Sequence, residues 1–225
     1  VIYKKVDKMR YLIVCGGKID KEFGLNEIKT DGIDAIIAAD SGMDFLYENG
    51  VTPDIIVGDF DSTTTNALEY FERKGQTEIR RLNPIKDDTD TEYAIRLAIS
   101  EGARSIVLLG ATGSRIDHVL GNISLLGIGL ESGTDISIID TNNRIRMADK
   151  PVTIEKSAQY GRFVSLIALT DDNEVSLKGF KYPVTDYSFD RFTSLGISNE
   201  IVDDHALIDL SLIHISEPTR QAEIS

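Results

Sequence analysis

Short apolar runs rich in β-branched residues recur from residue 11 to about residue 140: YLIVC, DAIIAAD, PDIIVGD, EIRRL, SIVLLG and DISIID. They predict strands. Longer amphipathic stretches lie between several of them: GMDFLYENG, TNALEYFERKG, TDTEYAIRLAISEG and DHVLGNISLLGIGL. In the third of these, Tyr93, Ala94, Leu97 and Ala98 recur at helical spacing, and the stretch closes on Gly102 as helices often do. Strands alternating with helices predict a parallel sheet covered on both faces, with ligands bound outside the carboxyl ends of its strands.

After about residue 145 the pattern changes. VTIEK, RFVSLIAL, EVSLKGFKYPV and HALIDLSL read as strands without intervening helices, separated by Gly, Pro, Asn and Asp. The fold class expected is therefore α/β: a parallel-sheet nucleotide-binding domain over 9–145, followed by a smaller all-β sandwich domain over 146–210, with the boundary near TNNRIRMADKP. Both ends depart from this pattern. Met9 directly before RYLIVCGG makes a natural start, so Val1 to Lys8 read as upstream sequence. Residues 211–225 resemble translated sequencing-adapter sequence and are expected to be a non-native tail.

The chain has 225 residues, 41% hydrophobic and 27% charged, a composition of globular proteins, and no run approaches the roughly 20 apolar residues needed to cross a bilayer. The apolar segment after the basic N-terminus is too short for a secretory signal, so a cytoplasmic location is expected. The single cysteine, Cys15, excludes an internal disulfide and reads as a buried small residue. A net charge of −13 argues against a broad nucleic-acid surface, yet it is compatible with phosphorylated ligands held through a divalent cation.

The acids that carry information cluster at predicted strand ends. Asp40 closes AIIAAD; Asp59 and Asp61 follow IIVG; Asp87, Asp88 and Asp90 follow RRLNPIK; Asp117 lies beyond VLLGATGSRI. Helix capping accounts for single positions: Asp59, Asp61 or Ser62 ahead of one helix, the capping-box pair Thr89 and Glu92 ahead of another, and Asp117 at the positive end of a third. It does not account for paired acids, because one cap serves a helix and like charges repel. A ring of carboxylates suits magnesium shared with substrate phosphates. GATGSR complements it, since Gly110 and Gly113 let the backbone approach phosphate and Arg115 offers a fork of donors; Lys86 adds a point charge. The segment lacks Walker spacing. His118 reads as structural.

Together AADSGMDFL, PDIIVGDFDS, KDDTDTEYAI and GATGSRIDHVLGN, in this order and spacing, resemble the thiamine pyrophosphokinase family, and GISNE is similar to its thiamine-contacting segment. The resemblance covers about residues 9 to 210. It implies transfer of pyrophosphate from ATP to the hydroxyl of thiamine, giving thiamine diphosphate and AMP, in a homodimer with thiamine between subunits. By the same resemblance Asp40, Asp59, Asp61, Thr89, Asp90, Arg115 and Asp117 fall at motif positions, and Ser198 and Asn199 at thiamine contacts. Asp59, Asp61 and Asp90 would hold Mg2+ and Arg115 would stabilise charge on the transferred group; either Asp61 or Asp117 would accept the hydroxyl proton. Tyr187 and Phe192 are candidates for a platform under the cationic thiamine. A foreign tail in place of the last strand would leave an unpaired edge and an incomplete dimer surface.

Three other readings use the same residues. A magnesium-dependent phosphohydrolase would place a D-x-D pair after its first strand, whereas here the pair follows the third. A metal-dependent glycosyltransferase would not account for TDTE and GSRIDH. A non-catalytic nucleotide-sensing module would keep the metal ligands without forming AMP.

Overall fold

Period-two alternation along the predicted strands sorts their side chains onto two faces of one sheet. The computed structural model describes residues 9–60, 66–83, 88–113, 115–171 and 173–212, and in it the first unit runs through Met147. Its elements are β1 (Arg10–Val14), α1 (Lys21–Ile28), β2 (Ala35–Ala39), α2 (Gly42–Glu48), β3 (Ile55–Gly58), α3 (Ala67–Lys74), β4 (Glu78–Arg81), α4 (Asp90–Ser100), β5 (Ser105–Leu109), α5 (Ile116–Leu125), α6 (Gly127–Ser132), β6 (Asp135–Ile139) and β7 (Arg144–Arg146). Strand order is β4-β3-β2-β1-β5-β6-β7, parallel throughout except for β7, which runs antiparallel to β6. Ile13, Ile37, Val57, Ile106 and Ile138 pack with Ala94, Ile95 and Ala98 of α4 on one face. Leu12, Val14, Ala38, Ile56 and Val107 pack with Met43, Leu46 and Phe71 of α2 and α3 on the other.

Both sheet edges are charged, which discourages further strand addition. On β4, Arg80 pairs with Glu78 and Glu101 at 2.6 and 3.0 Å; on β7, Arg146 pairs with Asp135 at 2.7 Å. β7 also moves the division between units, which falls after Met147 because Arg144–Arg146 pairs with β6.

Three local features differ from the sequence pattern. α1 was not anticipated, because KEFGLNEI carries a central glycine and few apolar residues; Asp20 starts it by accepting a hydrogen bond from the Phe23 amide at 2.9 Å. DHVLGNISLLGIGL is two helices, divided at Leu126 by a tight turn in which the Leu126 amide donates to the Ile123 carbonyl at 3.2 Å. α3 begins at Ala67 with Asn66 in the capping position, so Asp59 does not cap it.

The second unit, from Ala148, is antiparallel β: β8 (Val152–Glu155), β9 (Asn173–Lys178), β10 (Val184–Phe189) and β11 (His205–Leu212), in the order β10-β9-β11-β8. Val175, Leu177, Phe180, Phe189, Ile201, Ala206 and Ile208 form its core. RFVSLIAL is extended but forms no continuous strand. Val164 and Asn199 exchange backbone hydrogen bonds at 2.9 and 3.0 Å, the Leu166 amide donates to Gly196 at 2.9 Å, and Val164, Leu166 and Ala168 pack on the core. β11 continues past Leu210: Ser211 and Leu212 pair with Glu174 and Asn173 of β9. No helix among the described residues is long and apolar enough to cross a membrane.

Candidate active site

Three aspartates come together at the carboxyl edge of the first sheet. Asp40 follows β2, its amide donating to Val57 at 2.8 Å and its carbonyl accepting from Met43 at 3.2 Å; its φ is +48°, a left-handed conformation that aspartate tolerates better than most residues. Asp59 follows the last residue of β3, and Asp90 opens α4. All three are half-buried, and one carboxylate oxygen from each lies within 4.8 Å of the others. An all-oxygen donor set on three neighbouring strand ends fits a hard divalent cation. Asp61, Ser62 and Lys86 lie outside the described residues, so the carboxylates brought together are Asp40, Asp59 and Asp90.

Thr89 caps α4, its hydroxyl accepting from the Glu92 amide at 3.2 Å. The reciprocal half of the capping box is replaced: the Glu92 carboxylate accepts from Arg96, one turn on, at 2.7 and 2.9 Å.

Between β1 and β5 the strand order reverses direction, the point at which such sheets open a crevice. Here the turn after β1 meets the turn after β5. The Gly17 amide donates to the Gly110 carbonyl at 2.9 Å, and Gly110 has φ +67°. A Cβ on Gly110 would stand 2.5 Å from the Cys15 carbonyl oxygen, so only glycine permits the approach. Beside these turns opens a cleft of about 590 Å³ lined by Lys18, Phe23, Gly110, Gly113 and Asp140, among others.

Asp140, at the end of β6, and the Gly17–Lys18 turn were not singled out from sequence, although Asp140 closes a strand as Asp40 does. The Asp140 carboxylate accepts from Thr112 Oγ1 at 2.8 Å and from the amides of Asn142 and Asn143 at 2.8 and 2.7 Å. Burial works against its charge, but these hydrogen bonds outweigh it and hold the carboxyl below the usual range.

Arg115 and Asp117 form an exposed two-point pair at 2.6 and 3.2 Å at the start of α5. The Arg115 guanidinium, with the His118 amide at 3.0 Å, holds the Asp117 carboxyl below its ordinary value. His118 itself is exposed, and its side chain adds a minor favourable charge interaction with Asp117.

In the second unit Ser198 is exposed, with φ +60° and its amide donating to Ser165 Oγ at 3.0 Å. Asn199 is only 3% exposed, and its side-chain amide is engaged with the backbone of Tyr182 and Glu200 at 2.9 to 3.1 Å. It fixes the GISNE turn, while Ser198 presents a hydroxyl to solvent. Tyr187 packs edge-on against Phe189, and Phe192 is 91% exposed beneath the Arg191 guanidinium.

A mostly parallel sheet with a glycine-lined cleft at its switch point and three converging carboxylates fits a nucleotide-dependent phosphoryl-transfer enzyme. Residues 29–138 match the description "Thiamin pyrophosphokinase, catalytic domain", and residues 151–212 match "Thiamin pyrophosphokinase, vitamin B1 binding domain". A thiamine pyrophosphokinase of Bacillus subtilis (strain 168) is 35% identical over 168 residues, 74% of this chain and 78% of the relative. A crystal structure of thiamine pyrophosphokinase from Bacillus subtilis superposes with a TM-score of 0.80 at 30% identity, covering 90% of this chain and 94% of the other. The enzyme from Geobacillus thermodenitrificans gives 0.77 at 29% identity, covering 91% and 94%. The chain belongs to the thiamin pyrophosphokinase family and is an enzyme with that family's activity.

Proposed function

We propose that the thiamine hydroxyl oxygen attacks the β-phosphorus of ATP. The bond from that phosphorus to the α,β-bridging oxygen breaks, AMP leaves, and the hydroxyl proton passes to a carboxylate or to water. The observation that carries this reading is the convergence of Asp40, Asp59 and Asp90 within 4.8 Å at the sheet's carboxyl edge.

Asp59, Asp61 and Asp90 would hold Mg2+, with Asp40 beside Asp59 and Asp90. The bound ion would withdraw charge from the phosphate oxygens. The cleft beside Gly110 and Gly113 receives the nucleotide, with backbone amides available to phosphate. Thr89 fixes the start of α4 as its cap and, with Lys86 and Ser62, is a further candidate for contacting the nucleotide. Arg115 stabilises charge on the transferred group, and positioning supplies much of the acceleration.

Ser198 contacts thiamine, and Asn199 holds the turn that carries it. The protein works in the cytoplasm as a homodimer. Supporting the dimer, the second unit exposes large apolar side chains, among them Ile167 at 72% and Phe163 and Phe192. Sedimentation velocity checks it.

The deciding experiment incubates the full chain with ATP, Mg2+ and thiamine and quantifies products. Equal amounts of AMP and thiamine diphosphate support the reading. ADP with thiamine monophosphate, or phosphate released without thiamine, overturns it.

A further inference from the structure

Beside the aspartate trio stands a stack of side chains that no role above uses. Phe60 has φ +63°, a region that bulky side chains rarely occupy, yet its ring is only 8% exposed. Gly58 and Arg81 are two of its neighbours among the described residues. Gly58 is the first: a Cβ built on that residue would lie 3.0 and 3.2 Å from the ring's Cε1 and Cδ1, and 3.2 Å from the Cα of Asp40. Arg81 is a second neighbour: its guanidinium carbon stands 5.3 Å from the ring centroid, a cation–π distance. Arg81 is in turn paired with Glu72 of α3 at 2.5 Å.

Asp59 is the residue between these fixed points. Behind it, the Gly58 carbonyl accepts from the Leu82 amide at 2.9 Å, continuing the β3–β4 ladder. Ahead of it, the trapped ring forces the backbone into its left-handed bend. The bare Cα of Gly58 leaves room for both the ring and the Asp40 backbone, since a Cβ there would crowd the two together.

We propose that Phe60, packed against Gly58 and the Arg81–Glu72 pair, is a positioning residue that aims Asp59 at Asp40 and Asp90. It acts through Asp59 and touches no substrate. The inference rests on the metal reading above, and its test separates the two.

The probe is Mn2+ alone, titrated into the full chain and followed by electron paramagnetic resonance, with circular dichroism confirming the fold. Asp59→Asn is the reference. Phe60→Leu is expected to weaken Mn2+ binding about tenfold, the scale of support-residue losses at metal sites, while Phe60→Tyr restores it. In turnover, the Mg2+ requirement of Phe60→Leu rises while KM for thiamine holds. Arg81→Gln gives a second arm that leaves the core untouched. Loss of a nearby positive charge would by itself strengthen cation binding, whereas loss of the contact with Phe60 weakens it, so the two effects have opposite signs.

Weaker binding in Phe60→Leu and Arg81→Gln supports the proposal. Should Phe60→Leu not fold, the sign of the Arg81→Gln effect decides alone. Wild-type affinity in both variants, beside a weakened Asp59→Asn, overturns the proposal and leaves the metal reading standing. No binding by the wild type, or equal binding by wild type and Asp59→Asn, overturns the metal reading.

Discussion

Gly17 and Gly110 join the two halves of the sheet's carboxyl edge: the Gly17 amide donates to the Gly110 carbonyl at 2.9 Å, and a Cβ on Gly17 would lie 2.3 Å from that same oxygen. Gly17→Ala must therefore push the β1 and β5 turns apart. It is expected to cost about 1–3 kcal/mol in urea unfolding, the usual scale of overpacking, and to raise KM for ATP more than KM for thiamine. Unchanged values for both would remove this contact from the nucleotide cleft.

The trio makes a sharper prediction for catalysis. Asp40→Asn, Asp59→Asn and Asp90→Asn keep size and polarity, so each should fold with normal circular dichroism. Turnover should fall by about 10²-fold or more in each, because charge facing the phosphates is lost. Near-normal rates in Asp59→Asn and Asp90→Asn would dissolve the metal assignment.

Asp117 sets a pH expectation. Arg115 holds its carboxyl below the ordinary value, so the charged pair persists above that lowered pKa and is lost only as pH falls through it. The contribution of the pair to kcat/KM should therefore stay flat from about pH 5 to 8, above the usual carboxylate range. A wild-type acidic limb near pH 6 that vanishes in Asp117→Asn would contradict this.

Cys15 should be chemically silent in the folded protein. Burial pushes its thiol up to about 11, against a weak hydrogen bond from Thr91 Oγ1 at 3.7 Å, so little thiolate forms at neutral pH. A thiol-specific reagent at pH 8 is expected to label it only in denaturant. Rapid labelling of the native protein would show that the β1 end opens.

For the C-terminus, β11 lies between β9 and β8, and its ladder runs through Leu212. A chain ending at Leu212 should melt with the full chain in calorimetry. One ending at Asp204 lacks a central strand and should lose the cooperative transition of the second unit. A lower melting temperature on removing only 213–225 would show that those residues carry stability.

Much of the acidic edge was legible because strand ends are written in the sequence: an apolar run followed by an acid marks both the element and its rim, as at Asp40 and Asp59. What escaped lacked that local signature. Asp140 also closes a strand, and Asn142 and Asn143 follow it locally, but its partner Thr112 becomes visible only when β5 and β6 lie side by side. α1 is too polar to read as a helix. RFVSLIAL alternates like a strand because extended chain packed on a core has the same periodicity whether or not a ladder forms. Asn199 falls at a thiamine contact by motif, and the hydrogen bonds of its side chain to the backbone of Tyr182 and Glu200 become visible only in the fold.

The order of strands in the sheet has a consequence for how the chain folds. The carboxylate trio is assembled from β2, β3 and the β4–α4 connection, consecutive βα units that pair with their immediate successors and close only short loops. The cleft at Gly17 and Gly110 instead requires Arg10 to find Ser105 across most of the first unit. The acidic half of the catalytic edge can thus organise from a contiguous stretch of chain, while the cleft waits for β5 to dock on β1. Substitutions that weaken the β1–β5 seam should slow folding by removing contacts that offset the loop-closure entropy, and those around the trio should act mainly on chemistry.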